Sequence, residues 1–290
     1  MNKHVLVIAD FEDNDLLSLE KARDIAKDIS ASLEIIKFIQ HNKHARISET
    51  EHINQAQVSL NKIVEQTFGP DQTHVDAKVV VSDHIDEWVV KRCDEQMPKV
   101  DLVIKGGHRT ESLFHMPTDW KLVRHLHCPI LIASHNKWKS KANILMTLDL
   151  GHDDVRHQHL NNLTLDWGNT WAQATHTSLH AVYCIPIARP LLELDIVDKH
   201  NVERKKAPAF KQKMEAILTE HDITNVTSHV HAGCTKKVLP HVASDLRADL
   251  VILGCFGHEG LNGFLQGNTA EKVMHHLRTD CLIVKPAQDM

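Results

Sequence analysis

The sequence repeats itself, and that constrains its fold more than any other feature. An apolar run ending in aspartate, His4-Val-Leu-Val-Ile-Ala-Asp10, returns as Asn143-Ile-Leu-Met-Thr-Leu-Asp149, with the two aspartates 139 residues apart. Asp101-Leu-Val-Ile-Lys105 returns 148 residues later as Asp249-Leu-Val-Ile-Leu253. Each half then closes with a histidine-leucine pair and another apolar run, Val123 to Ala133 and Val273 to Val284. The order is kept while the spacing drifts, as in a duplicated unit that has since gained and lost loop residues. A chain of 290 residues suits two domains at roughly 150 residues each. The polar, lysine-rich stretch from Ser134 to Ala142 is the natural linker, dividing the chain into domains 1–138 and 139–290.

Within each half the apolar runs are short and do not alternate with polar residues, which predicts strands covered on both faces, as in a parallel sheet. Between them lie helical periods. Leu19, Ala22, Ile25, Ala26, Ile29 and Leu33 recur at three- and four-residue spacings in the first half, and Leu160, Leu163, Trp167, Trp171 and Ala174 in the second. Strand alternating with helix implies right-handed crossovers and an α/β class of two tandem doubly wound open parallel-sheet domains. Such sheets bind ligands at the carboxyl ends of their strands.

A net charge of −5 with scattered Lys and Arg gives no electrostatic footprint for direct nucleic-acid binding. No apolar stretch approaches the ~18 residues of a membrane span, and Asp10 interrupts the first apolar run before a signal-peptide core can form. The cysteines Cys93, Cys128, Cys184, Cys234, Cys255 and Cys281 lie far apart, without a C-x-x-C pair. They read as reduced thiols of a cytoplasmic protein.

One loop stands out. After Asp249-Leu-Val-Ile-Leu253 comes Gly254-Cys-Phe-Gly257, then nine residues, then Gly267-Asn268-Thr269 opening a helical pattern. Glycines let backbone N–H groups approach a ligand closely, and a helix N-terminus favours negative charge, so the arrangement suits phosphate. The plainer reading is a tight loop with Asn268 or Thr269 as helix cap. His258 inside the loop either faces a phosphate or points to water. In the first half, the segment from Lys105 to Trp120 lacks the second glycine pair and puts Pro117 where the helix should start. There, Pro-Thr-Asp-Trp reads as a helix cap, without a phosphate cradle.

The spacing Gly254-x2-Gly257-x9-Gly267 followed by a small polar residue resembles the signature of the ATP-binding branch of the universal stress protein family. The two complete repeats, the Pro-Thr-Asp-Trp loop and Gly-Asn-Thr-Ala-Glu are similar to that family's bacterial E subfamily. The resemblance implies an adenine nucleotide alpha hydrolase-like fold. It also implies a cytoplasmic stress-response role of the kind associated with resistance to DNA-damaging agents. By the same resemblance, Gly254, Gly257, Gly267, Asn268 and Thr269 would wrap the phosphates of ATP, Asp149 would approach ribose and adenine, and Val182 would contact the base. Asn268 departs from the family's Ser/Thr, which removes a hydroxyl. Members commonly pair through the final strand, which implies an internal pseudo-dimer in which Cys281 to Val284 meets Pro129 to Ile132.

No Walker lysine follows the glycines and no catalytic triad can be assigned, so the chain reads as a non-enzyme, with at most slow ATPase activity and no required cofactor. ATP is its expected ligand, together with a protein partner the sequence does not name. The alternative is a scaffold that acts through protein contacts or an apolar ligand held between the domains. A third reading, an acid or metal sensor, comes from the 24 histidines. Of the H-x-H triplets His125/His127, His157/His159 and His229/His231, only the last sits in a strand-like segment, where both side chains face one way. No third ligand follows from the sequence, and no metal site is assigned. Lys236 and Lys237 read as a solvated helix face, and Trp88, Trp120, Trp167 and Trp171 as packing residues.

Overall fold

The computed structural model describes residues 3–9, 15–41, 48–69, 74–95, 97–106, 118–134, 136–139, 142–175, 177–256 and 269–286. The chain divides between Lys137 and Trp138 into two units. The first runs β1 (Lys3–Ala9), α1 (Asp15–Asp28), β2 (Ala31–Ile39), α2 (Glu49–Phe68), β3 (Val75–Val81), α3 (Ile85–Glu95), β4 (Leu102–Gly106), α4 (Thr118–His125) and β5 (Ile130–Ala133). The second runs β6 (Asn143–Thr147), α5 (Val155–Thr175), β7 (Ser178–Pro186), α6 (Arg189–Glu193), α7 (Lys199–Glu220), β8 (Val226–Gly233), α8 (Thr235–Asp245), β9 (Leu250–Gly254), α9 (Thr269–Met274) and β10 (Asp280–Val284).

Both units are wound the same way. The strand order is β3-β2-β1-β4-β5 in the first and β8-β7-β6-β9-β10 in the second, and every pairing within a unit is parallel. The repeat extends to individual hydrogen bonds. Asp101, just before β4, accepts from the His4 amide at 2.8 Å and donates its own amide to the His4 carbonyl. Asp249, before β9, does the same with Asn143 at 3.1 Å. Each aspartate thus fixes the register of the two central strands at their amino ends.

The strands are apolar because both faces are covered. Val5 to Ile8 of β1 are 0% exposed, and β9 and β10 are buried almost throughout. Each such side chain contributes about 1.5–3 kcal/mol relative to exposure. Leu19, Ala22, Ile25 and Ala26 form the buried face of α1 as their spacing predicts. The helical period does not extend to Leu33, however. The helix stops at Asp28, Ser30 takes a φ of 53° that reverses the chain, and Leu33 belongs to β2. In α5 the buried stripe runs through Leu160, Thr164, Leu165, Gly168 and Trp171. Gly168 is required there, since a Cβ would collide with the Met146 side chain of β6.

Candidate functional site

In the second unit, β6 lies between β7 and β9, and the chain leaves it in opposite directions on the two sides. This is the switch point of a doubly wound sheet, where a crevice opens at the carboxyl ends of the strands. Asp149 stands two residues beyond the end of β6. Asn161 of α5 clamps its backbone by accepting from the Asp149 amide at 2.9 Å and donating to its carbonyl at 2.8 Å. The carboxylate therefore stands on a fixed base at the carboxyl end of β6.

That carboxylate is engaged. Its Oδ1 accepts from the Gly151 amide at 2.9 Å, and its Oδ2 lies 2.9 Å from Nδ1 of His152 and 3.6 Å from Nε2 of His157. The two imidazoles stack at 4.3 Å. His157 is further set by Nδ1, 2.6 Å from the Asp154 carboxylate, and by an edge contact of 4.7 Å with Phe256, just past β9. Asp154 also caps α5, accepting from the Arg156 and His157 amides. Desolvation works to raise the Asp154 pKa, but the His157 hydrogen bonds and charge outweigh it and lower it. Burial, with the Asp149 charge nearby, pushes the Tyr183 phenol up to about 12.

Gly254 ends β9, and a Cβ there would come within 2.7 Å of Leu160 Cγ, so this glycine is fixed by helix packing whatever else it does. Val182 is 0% exposed and sits inside β7, four residues before its end, with its carbonyl accepting from Leu148 at 3.0 Å. Thr269 opens α9. Gly257, Gly267, Asn268 and His258 lie outside the described residues, as does Asp10 of the first unit. The structure thus brings Asp149, His152, His157, Phe256 and Gly254 to one end of the sheet. His152 and His157 were not singled out from sequence for this place. Their signal was the spacing Asp149, His152, His157 around a helix start, which an H-x-H search passes over.

The first unit treats the equivalent position differently. Lys105, at the end of β4 in the place of Leu253, is 2% exposed and forms a 2.8 Å ion pair with Asp119 in the first turn of α4. A carboxylate of the chain itself thus occupies the helix start.

A further histidine pair lies on β8. His229 and His231 share a face of β8, and the His180 ring of β7 lies 3.1 Å from His229. Burial lowers the pKa of His180, and burial with the neighbouring imidazoles lowers that of His229. His231 turns to Glu203 at 3.4 Å.

Among the described residues, no helix is long and apolar enough to cross a membrane. Residues 160–285 match the model of the Universal stress protein family. Universal stress protein E of Salmonella typhi is 32% identical over 193 residues, covering 64% of this chain and 61% of that protein. The Escherichia coli K12 protein of the same name is 31% identical over 195 residues, covering 65% and 61%. The matched part of the chain spans less than two thirds of the length of these curated relatives. A universal stress protein from Archaeoglobus fulgidus superposes with a TM-score of 0.71 at 14% identity, over 99% of this chain and 97% of that one. A functionally unknown protein of Pseudomonas aeruginosa does so with 0.72 at 21% identity, over 98% and 93%. At such identities these two matches speak for the fold alone. Residues 160–285, within the second unit, thus carry a universal stress protein family domain, and the chain is similar to universal stress protein E over 64% to 65% of its length.

Proposed function

We propose that the chain is a cytoplasmic stress-response protein whose second unit binds adenine nucleotide as a regulatory module, without fast catalysis, and contributes to resistance against DNA-damaging agents. The supporting observation is the asymmetry of the two units. In the second, the sequence Gly254-x2-Gly257-x9-Gly267-Asn268 joins the end of β9 to the start of α9, and Asp149 stands at the switch point. In the first, Lys105 and Asp119 neutralise each other at the equivalent place. In this reading the loop amides and Asn268 hold the phosphates, Asp149 faces the ribose and Val182 flanks the base. ATP is a bound ligand there and not a required cofactor.

Titration of ATP with magnesium into the full chain tests this by calorimetry, with Gly257→Asp as the paired variant. Saturable binding near one site per chain, lost in the variant, is the expected result. Heat-silent titrations of both proteins, backed by equilibrium dialysis, would remove the nucleotide from the reading. A second reading, a scaffold acting through protein contacts, is favoured by the hydrogen bonds that already engage both oxygens of the Asp149 carboxylate, from the Gly151 amide and His152.

A further inference from the structure

Three potential ligand atoms, one each from Asp149, His152 and His157, lie within 4.8 Å of one another. We propose that the second unit binds a zinc-type divalent ion on these three side chains, leaving a fourth coordination position open to water or an anion.

The donor set is right for the metal: two imidazole nitrogens and one carboxylate oxygen suit zinc, and three protein ligands with a vacant fourth position is the form of an open site. At bond lengths of roughly 2.0–2.1 Å, tetrahedral ligands stand about 3.4 Å apart. The His152 and His157 nitrogens already approach Asp149 Oδ2 to 2.9 and 3.6 Å, so small side-chain rotations complete the site. An ion would take the place of the hydrogen between His152 Nδ1 and Asp149, with the imidazole binding through Nδ1 as its Nε2–H tautomer.

The supports are also in place. A zinc-bound histidine usually donates its second ring N–H to a carboxylate, which fixes its tautomer. His157 presents Nε2 to Asp149 while its Nδ1 lies 2.6 Å from Asp154. Asp149 is anchored by Asn161, and His157 is wedged between His152 and Phe256. Lys213 pairs with the neighbouring Asp153, which keeps that carboxylate occupied beside the site. Access is open, since the His152 side chain is 61% exposed and that of Asp149 40%. The site spans nine consecutive residues, which lowers the entropy of assembling it. It does not depend on nucleotide binding.

The test uses the full chain, stripped of metal and free of nucleotide, in competition with a chromophoric zinc chelator at pH 7.5. One zinc per chain is expected. His157→Gln, Asp149→Asn and the exposed-site variant His152→Gln should each weaken it at least about 10-fold, and Asp154→Asn by about 10-fold through the lost orienting bond. Cobalt in place of zinc should give an intense visible spectrum without a thiolate charge-transfer band, which separates this site from the cysteines. Zinc affinity unchanged in His152→Gln/His157→Gln, or lost in His229→Gln/His231→Gln instead, would overturn the proposal.

Discussion

The fourth strand of each unit reaches the same place in the same fold, and the two units use that place differently. In the first, Lys105 is the penultimate residue of β4, and its ammonium is buried against Asp119 of α4. In the second, the matching positions hold Leu253 and Ala270, both buried and apolar, between which the glycine-rich sequence runs. A helix start attracts negative charge. The first unit meets that attraction from within, while the second has no carboxylate at that position. Duplication therefore preserved the scaffold, down to the Asp101 and Asp249 bonds, while the ends of β4 and β9 diverged.

The largest expected effect comes from breaking the internal pair. Lys105→Leu, which installs the residue of the second unit, leaves the Asp119 carboxylate buried without its cation and should cost about 3–5 kcal/mol in urea unfolding. Adding Asp119→Ala should recover most of that loss, because apolar replacement of both partners is near neutral. If Lys105→Leu alone proves harmless, the ion pair does not distinguish the units.

An intermediate effect should separate the glycines that end the two strands. Gly254→Ala forces a methyl to within 2.7 Å of Leu160 and should destabilise by about 1–3 kcal/mol. Gly106→Ala meets nothing closer than Ser18 at 3.9 Å and should stay within about 0.5 kcal/mol of the native protein. Equal costs at both sites would mean that Gly254 is not fixed by packing.

The smallest effect is in the response to acid. Burial opposes the charged form of Glu34 in the first unit, yet hydrogen bonds from His4, Arg92 and Lys78 hold it well below its ordinary 4.5. A depressed carboxylate stabilises the fold above its unfolded pKa, so this contribution fades only as pH falls below about 4.5. His180 and His229 in the second unit are also depressed, from 6.5, by burial. Here the unfolded chain takes up protons more readily, so stability present above pH 6.5 declines as pH falls through it. Denaturant midpoints measured from pH 8 to pH 4 should drift down first near 6.5, and His229→Gln should flatten that part of the curve alone.

Much of this was legible in the sequence for a physical reason. Strands buried on both faces need unbroken apolar runs, so His4 to Asp10 and Asn143 to Asp149 declare themselves, and with them the repeat and the switch point. The end of α1 was not legible, because Leu33 continues the helical period by chance while Ser30 turns the chain. The Lys105–Asp119 pair was hidden because its members are 14 residues apart, and only the return of α4 to the end of β4 joins them. In the sequence His157 is half of an H-x-H pair that diverges on a helix. It meets Asp149 through the cap of α5, which spacing rules for a single element do not describe.

Trp138, the first residue of the second unit, donates its indole N–H to Asp280 at 2.6 Å and packs edge-on against Trp171 at 5.7 Å. Asp280 is fully buried at the start of β10. Anyone excising the second unit for separate study should therefore begin the clone upstream of Trp138, since starting even one codon later would remove a donor from a sequestered carboxylate and an aromatic wall from the helix behind it.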